Sequence, residues 1–168
     1  MPKIIENLPL RLAQVAKKQV MEAGYSALTV RSVAAACGVG TGTVYNYYPS
    51  KDALVAAFML EDWKKRISAI ADCGETAPDR ETVLRLIHEN LQQFLLQYET
   101  VFRDETAAPA FSGAFSRYHG LLRKQLSAPI RRFCSSDFAA DFIAEAMLTW
   151  TVEGKSFDDL KEILQCIL

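Results

Sequence analysis

The sequence lacks most of the features that announce a particular chemistry. Its four cysteines, Cys37, Cys73, Cys134 and Cys166, lie far apart and form no C-x-x-C pair. That argues against a zinc knuckle or a disulfide framework and fits a reducing compartment with buried or incidental thiols. The two histidines, His88 and His119, have no acidic or cysteine neighbours at ligand spacing, so no metal and no cofactor is expected. There is no Gly-x-Ser-x-Gly and no Walker loop, and the run Gly38-x-Gly40-x-Gly42 follows no strand pattern; a nucleotide loop or enzymatic nucleophile is therefore not expected. No apolar run reaches the ~20 residues a membrane helix needs. No basic, apolar, small-residue leader opens the chain either, so the expectation is a cytoplasmic protein without a membrane partner.

Strand-like alternation is nearly absent, and so are repeats and low-complexity tracts. What remains is helical periodicity in a chain of 168 residues, half of them hydrophobic and 23% charged, enough to bury a core. The net charge of −1 is unevenly spread: residues 1–66 carry nine Lys and Arg against five acids, residues 67–168 ten against fifteen. A basic third beside an acidic remainder suits one end meeting a polyanion.

The pattern predicts an all-α fold of about nine helices. Pro9 suits a helix's first turn, and Leu12, Val15, Ala16, Val20 and Ala23 form an inward stripe. Gly24 should end that helix in the left-handed conformation, with Tyr25 packing back on Val20. Thr29 caps a two-turn helix ending at Gly38, a three-residue turn follows, and a second short helix should run from Thr41 to about Tyr48, ended by Pro49. Ser50 then caps a long helix from Lys51 to about Ala71, and Cys73–Pro78 reads as a loop, with Asp79 or Thr76 capping the next helix. Val83, Ile87, Leu91, Phe94 and Tyr98 form that helix's apolar face. Later helices are expected at Ser112–Leu126, Ser136–Val152 and Ser156–Ile167.

Two short helices joined by a glycine turn cannot bury much alone; Val30, Val33, Ala34, Val39 and Val44 supply their inward side. Thr41, Gly42, Thr43, Tyr45, Asn46 and Tyr47 stay outside. A merely solvated face would usually carry Glu and Lys, whereas hydroxyl and amide groups suit phosphates and base edges. Gly42 lets the backbone approach a neighbouring surface, and Lys51 adds a positive charge at the next helix start.

The segment Gly38-Val39-x-x-Gly42-Thr43-Val44-Tyr45-x-Tyr47-Tyr48-Pro49-Ser50-Lys51-Asp52-Ala53-Leu54 resembles the tetracycline-repressor (TetR) family of bacterial regulators. Gly24-Tyr25 and Thr29-Val30-Arg31 match as well, and the likeness covers residues 10–60. It implies a helix-turn-helix DNA-binding domain over residues 1–50 and a helical ligand-binding and dimerisation domain over 51–168. The partners it implies are palindromic operator DNA, a second copy of the chain, and a small-molecule effector of apolar or aromatic character that releases a repressor. Thr41, Thr43 and Asn46 would then face bases, with Gly42 beside them. Tyr45, Tyr47, Lys51, Thr29, Arg31 and Ser32 would meet the backbone. The chain departs from the pattern at Gly40 and Thr41, where the family often has Ser then Lys.

The resemblance further implies a four-helix dimer contact built from Phe138, Phe142, Ala146 and Trp150 with Phe157, Leu160 and Leu164, whose apolar faces are wider than one core face needs. It also implies an effector pocket among the central aromatics Phe94, Tyr98, Phe102, Phe115 and Tyr118. The alternative is a dimeric helical interaction protein whose DNA-binding role has weakened.

Overall fold

The computed structural model describes residues 7–107 and 119–167, with side chains as far as Leu164. The regular elements among the described residues are all helical. In order they are α1 (Leu8–Ala23), α2 (Val30–Cys37), α3 (Thr41–Tyr45), α4 (Lys51–Thr76), α5 (Arg80–Gln97) and α6 (Glu99–Phe102). Helical residues 119–127 follow as α7, then a 3-10 turn (Ala128–Phe133), α8 (Asp137–Val152) and α9 (Phe157–Ile167). The all-α class expected from periodicity is what the chain adopts. No described helix is long and apolar enough to cross a membrane.

The described residues form two compact units. One holds those up to Asp62 together with Glu99–Ala107; the other holds Trp63–Tyr98 and the described residues from His119 onward. In the first, α1 packs on α2 and α2 on α3. Proline lies in the first turn of α1, and Leu8, Leu12, Ala13, Ala16 and Val20 are buried. Ala23, expected to continue that stripe, is exposed at the helix end, and the next buried side chains are Tyr25 and Leu28. Gly24 is not in the left-handed helical well as expected. Its φ of 83° with ψ of 166° is an extended, positive-φ conformation that is essentially reserved for glycine.

In the second unit α5 packs on α8, both meet the 3-10 turn, and α9 closes against α5 and α8. Its core is mostly apolar: Ile70, Ile87, Leu126, Ile130, Ile143 and Met147 are all 0% exposed. Burial of each such side chain contributes roughly 1.5–3 kcal/mol relative to exposure. The helix α4 is longer than its sequence predicts, continuing through the stretch from Cys73 to Thr76 that reads as a loop. Gly74, which looks like a breaker, is a packing contact, because a Cβ there would lie 2.7 Å from Pro129 Cβ. Arg132 donates to the carbonyls of Glu75 at 2.9 Å and Ala77 at 2.5 Å, giving acceptors at the end of α4 their partners. Asp79 caps α5, its carboxylate accepting from Thr82 N–H at 2.8 Å. His88 is a core histidine whose Nε2 donates to the Lys155 carbonyl at 3.0 Å.

Candidate nucleic-acid interface

The start of α2 is fixed by a reciprocal cap. Thr29 Oγ1 accepts from Ser32 N–H at 3.0 Å, and Ser32 Oγ accepts from Thr29 N–H at 3.4 Å. The Ser32 hydroxyl is also 2.6 Å from Gln19 Oε1 on α1, so it ties the two helices together. Both hydroxyls, expected to reach phosphates, therefore already have internal partners, while Arg31 is exposed. Gly38 ends α2 in the left-handed conformation (φ 69°, ψ 32°), which turns the chain within three residues into α3.

The sequence predicts α3 to run to Tyr48, but it ends at Tyr45. Tyr47 N–H donates to the Val44 carbonyl at 3.0 Å and Tyr48 N–H to the same carbonyl at 2.9 Å. This tightening precedes Pro49, which biases Tyr48 away from helical angles. Val44 is fully buried. Thr41, Gly42, Tyr45, Asn46 and Tyr47 are exposed and Thr43 is half-buried, so this row presents no charged side chain. Tyr48 turns back, its hydroxyl donating to the Pro9 carbonyl at 3.0 Å, and burial raises its phenol pKa.

The N-terminus of α4 is capped by Ser50, whose Oγ accepts from Ala53 N–H at 3.0 Å. Just inside, Lys51 Nζ donates to the Tyr25 carbonyl at 2.9 Å and lies 3.9 Å from the centre of the Tyr25 ring. The Tyr25 hydroxyl donates to Asp52 Oδ1. Tyr25 is 3% exposed; burial, and then the Asp52 carboxylate, push its phenol pKa well above the usual range. Lys51, expected at a DNA phosphate, thus has its ammonium on partners inside the unit. Beside Tyr25, the Ser26 hydroxyl donates to Asp104 at 2.5 Å. Hydrogen bonds from Ser26 and then Thr106 pull the Asp104 carboxyl down to about 2.

Tyr25, Asp52, Tyr48 and Gln19 are the residues that sequence reasoning missed as parts of this site. Tyr25 was visible as an apolar neighbour of Val20 and as part of the resemblance, but not as a hydrogen-bonding group. Its hydroxyl has a partner 27 positions away, and such long-range pairs leave no periodic trace.

Of the residues expected in an effector pocket, Phe94 and Tyr98 stack edge to face with ring centres 5.0 Å apart, and Trp63 meets Phe94 likewise at 5.4 Å. Tyr98 is fully buried. Phe102 belongs to the other unit and is 39% exposed. Phe115 and Tyr118 lie outside the described residues. Of those expected at a dimer contact, Phe138, Phe142 and Trp150 are exposed and Ala146 half-buried, but Phe157, Leu160 and Leu164 are buried in the core of their own unit. The width of the α9 apolar face is explained by that core. Between α8 and α9 an open groove of about 410 Å³ is lined by Phe142, Ala146, Trp150 and Ile163, with Leu160 and Leu164 at its floor.

Residues 12–58, which span α1 to the start of α4, match the family described as bacterial regulatory proteins, tetR family. The likeness to the tetR family is thus carried by residues 12–58. Over 93 residues the chain is 26% identical to the HTH-type transcriptional regulator UidR of Escherichia coli strain K12, covering 53% of this chain and 47% of that protein. The chain thus aligns with about half the length of the curated relatives it matches. Among solved structures it resembles Thermus thermophilus FadR, described as a TetR-family transcriptional repressor in complex with lauroyl-CoA. There the identity is 18% and the TM-score 0.61, with 94% of this chain and 91% of that one covered. It also resembles a possible TetR-family regulator from Streptomyces coelicolor A3(2), with 22% identity and a TM-score of 0.61 over 86% and 68% of the chains. The TetR fold therefore extends beyond the matched domain, into α5 to α9.

Proposed function

We propose that this protein is a DNA-binding transcriptional regulator that acts as a homodimer on a palindromic operator, as a repressor released by a small molecule. One observation carries the reading: α3 and the two residues after it expose hydroxyl, amide and phenol groups and no charge. Gly42 strengthens it. A glycine inside a helix costs about 1 kcal/mol relative to alanine, yet a Cβ there would meet nothing within 4 Å. The protein's own packing therefore gives no reason for glycine, whereas close approach of a nucleic-acid backbone would. In this reading Thr41, Thr43 and Asn46 face base edges, and Tyr45, Tyr47 and Arg31 meet phosphates. Residues 1–50 serve DNA and 51–168 serve dimerisation and effector binding.

The exposed face of Phe138, Phe142 and Trp150 supports pairing across a two-fold axis. The aromatic cluster of Phe94 and Tyr98 is the proposed seat of an apolar or aromatic effector. FadR of Thermus thermophilus, described with lauroyl-CoA, makes an acyl effector a reasonable first compound to try.

Selection from a random duplex pool at physiological salt tests the reading. It should enrich a palindrome whose half-site centres lie about 34 Å apart or slightly more. The competing reading, a dimeric interaction protein, is favoured by Gly40 and Thr41 and by the internal partners of Thr29, Ser32 and Lys51. It predicts no enrichment and no steep salt dependence, whereas a DNA binder loses affinity with a log–log slope of about −0.9 per phosphate neutralised.

A further inference from the structure

We propose that Tyr25 and Asp52, closed over by Lys51, form a clamp that sets the pose in which α3 is presented, which makes Asp52 a positioning residue for DNA binding; the proposal rests on the reading of α3 as the DNA-contacting helix.

The chain geometry makes such a device effective. Only five residues, 46–50, separate the end of α3 from the start of α4, so wherever α4 begins, α3 must end close by. Tyr25 sits in the turn between α1 and α2, is almost wholly buried, and receives two successive residues of α4. Asp52 takes its hydroxyl proton in a hydrogen bond, and Lys51 lies over its ring while donating to its carbonyl. Within that five-residue link, Tyr48 is tied to the Pro9 carbonyl. The short helix is thus anchored beyond its C-terminal end by two phenols, one bonded to a distant backbone carbonyl and one to a carboxylate. Its own interior provides little hold, since Val44 is its single buried residue.

The sign of the effect separates the clamp from simple electrostatics. Asp52 places a negative charge one residue into the helix that follows the DNA-facing row. If it acted only through charge, removing it would tighten binding to a polyanion. The clamp predicts the opposite for Asp52→Ala. Asp52→Asn discriminates further, because its amide oxygen still accepts the phenol proton while the charge is gone.

The experiment measures Kd for a duplex enriched by the wild-type protein, at several salt concentrations and at a temperature where circular dichroism shows every variant folded. Amide hydrogen exchange over residues 41–48 is followed without DNA in parallel. The expected result is about tenfold weaker binding for both Asp52→Ala and Tyr25→Phe, the loss of one buried hydrogen bond. The double variant should be no weaker than either single one, Asp52→Asn should stay within about twofold of wild type, and the salt slope should be unchanged in all. Exchange at 41–48 should quicken in Asp52→Ala and Tyr25→Phe but not in Asp52→Asn. Wild-type or tighter binding by Asp52→Ala, or equal losses in Asp52→Ala and Asp52→Asn, would overturn the clamp. If wild type enriches no duplex, the DNA reading fails, and the exchange arm alone decides: quickening in the same two variants upholds the clamp, and unchanged exchange removes it.

Discussion

The two units of this chain both bury apolar side chains but differ in what positions their short elements. The unit carrying α5, α8 and α9 rests on an apolar cluster rich in isoleucine and leucine from five stretches of chain: α4, α5, residues 126–130, α8 and α9. The unit carrying α1 to α3 buries an apolar centre too, with Leu12, Ala16, Val20, Val33 and Leu54 in it, and its short helices are further positioned by side-chain hydrogen bonds: Ser32 to Gln19, Tyr48 to Pro9, Tyr25 to Asp52, Ser26 to Asp104. Apolar packing supplies free energy in proportion to area and tolerates small shifts. Hydrogen bonds fix direction, which is what a surface that must match another molecule's spacing needs.

Breaking the comparison at its strongest point means emptying the apolar unit. Met147→Ala or Ile87→Ala, both fully buried in wild type, should cost about 2–5 kcal/mol in equilibrium denaturation, with little change at the α2 and α3 amides in exchange below the transition. Next in size is Thr29→Ala, which removes half of the α2 cap; a loss of about 0.5–2 kcal/mol is expected, concentrated in exchange of the first turn of α2. A loss spread evenly over both units would contradict a local role for the cap.

A pH series sharpens the same contrast at the Ser26–Asp104 contact. The folded carboxyl titrates at about 2, below the ordinary value of about 3.9. Its contribution is therefore fully present above pH ~4 and is lost as pH falls toward 2. The stability difference between wild type and Asp104→Asn should close over that window, and a difference constant down to pH 2 would remove the carboxylate from the account. The smallest effect is expected for Glu81→Gln. Its carboxylate meets Lys161 at 2.7 Å and Arg85 at 3.2 Å but is solvent-screened, so any change in midpoint should be slight and vanish at high salt.

The sequence made the apolar framework legible because burial leaves a period. Val83, Ile87 and Leu91 on α5 and the caps at Thr29 and Ser50 follow from local rules, and the structure has them in place, with Asp79 rather than Thr76 capping α5. The helix-turn-helix row was readable because its outward residues were of an unexpected type for solvent. What stayed hidden were contacts set by tertiary neighbours. Gly74 read as a stop until Pro129 was seen against it. Phe157, Leu160 and Leu164 read as a surface for a partner because the periodicity of α9 gives an apolar face without saying which neighbour covers it. Lys51 read as a free cation because its partner, Tyr25, lies 26 positions earlier.

The central claim is that the uncharged row on α3 reads DNA, and selection of bound duplexes from a random pool by the purified wild-type protein tests it most directly. The account predicts enrichment of one palindrome, with binding that weakens steeply as salt rises and sequence preference that changes when Asn46 is replaced. A folded, dimeric protein that enriches nothing, or whose preference survives loss of Asn46, Thr41 and Thr43 together, would contradict it.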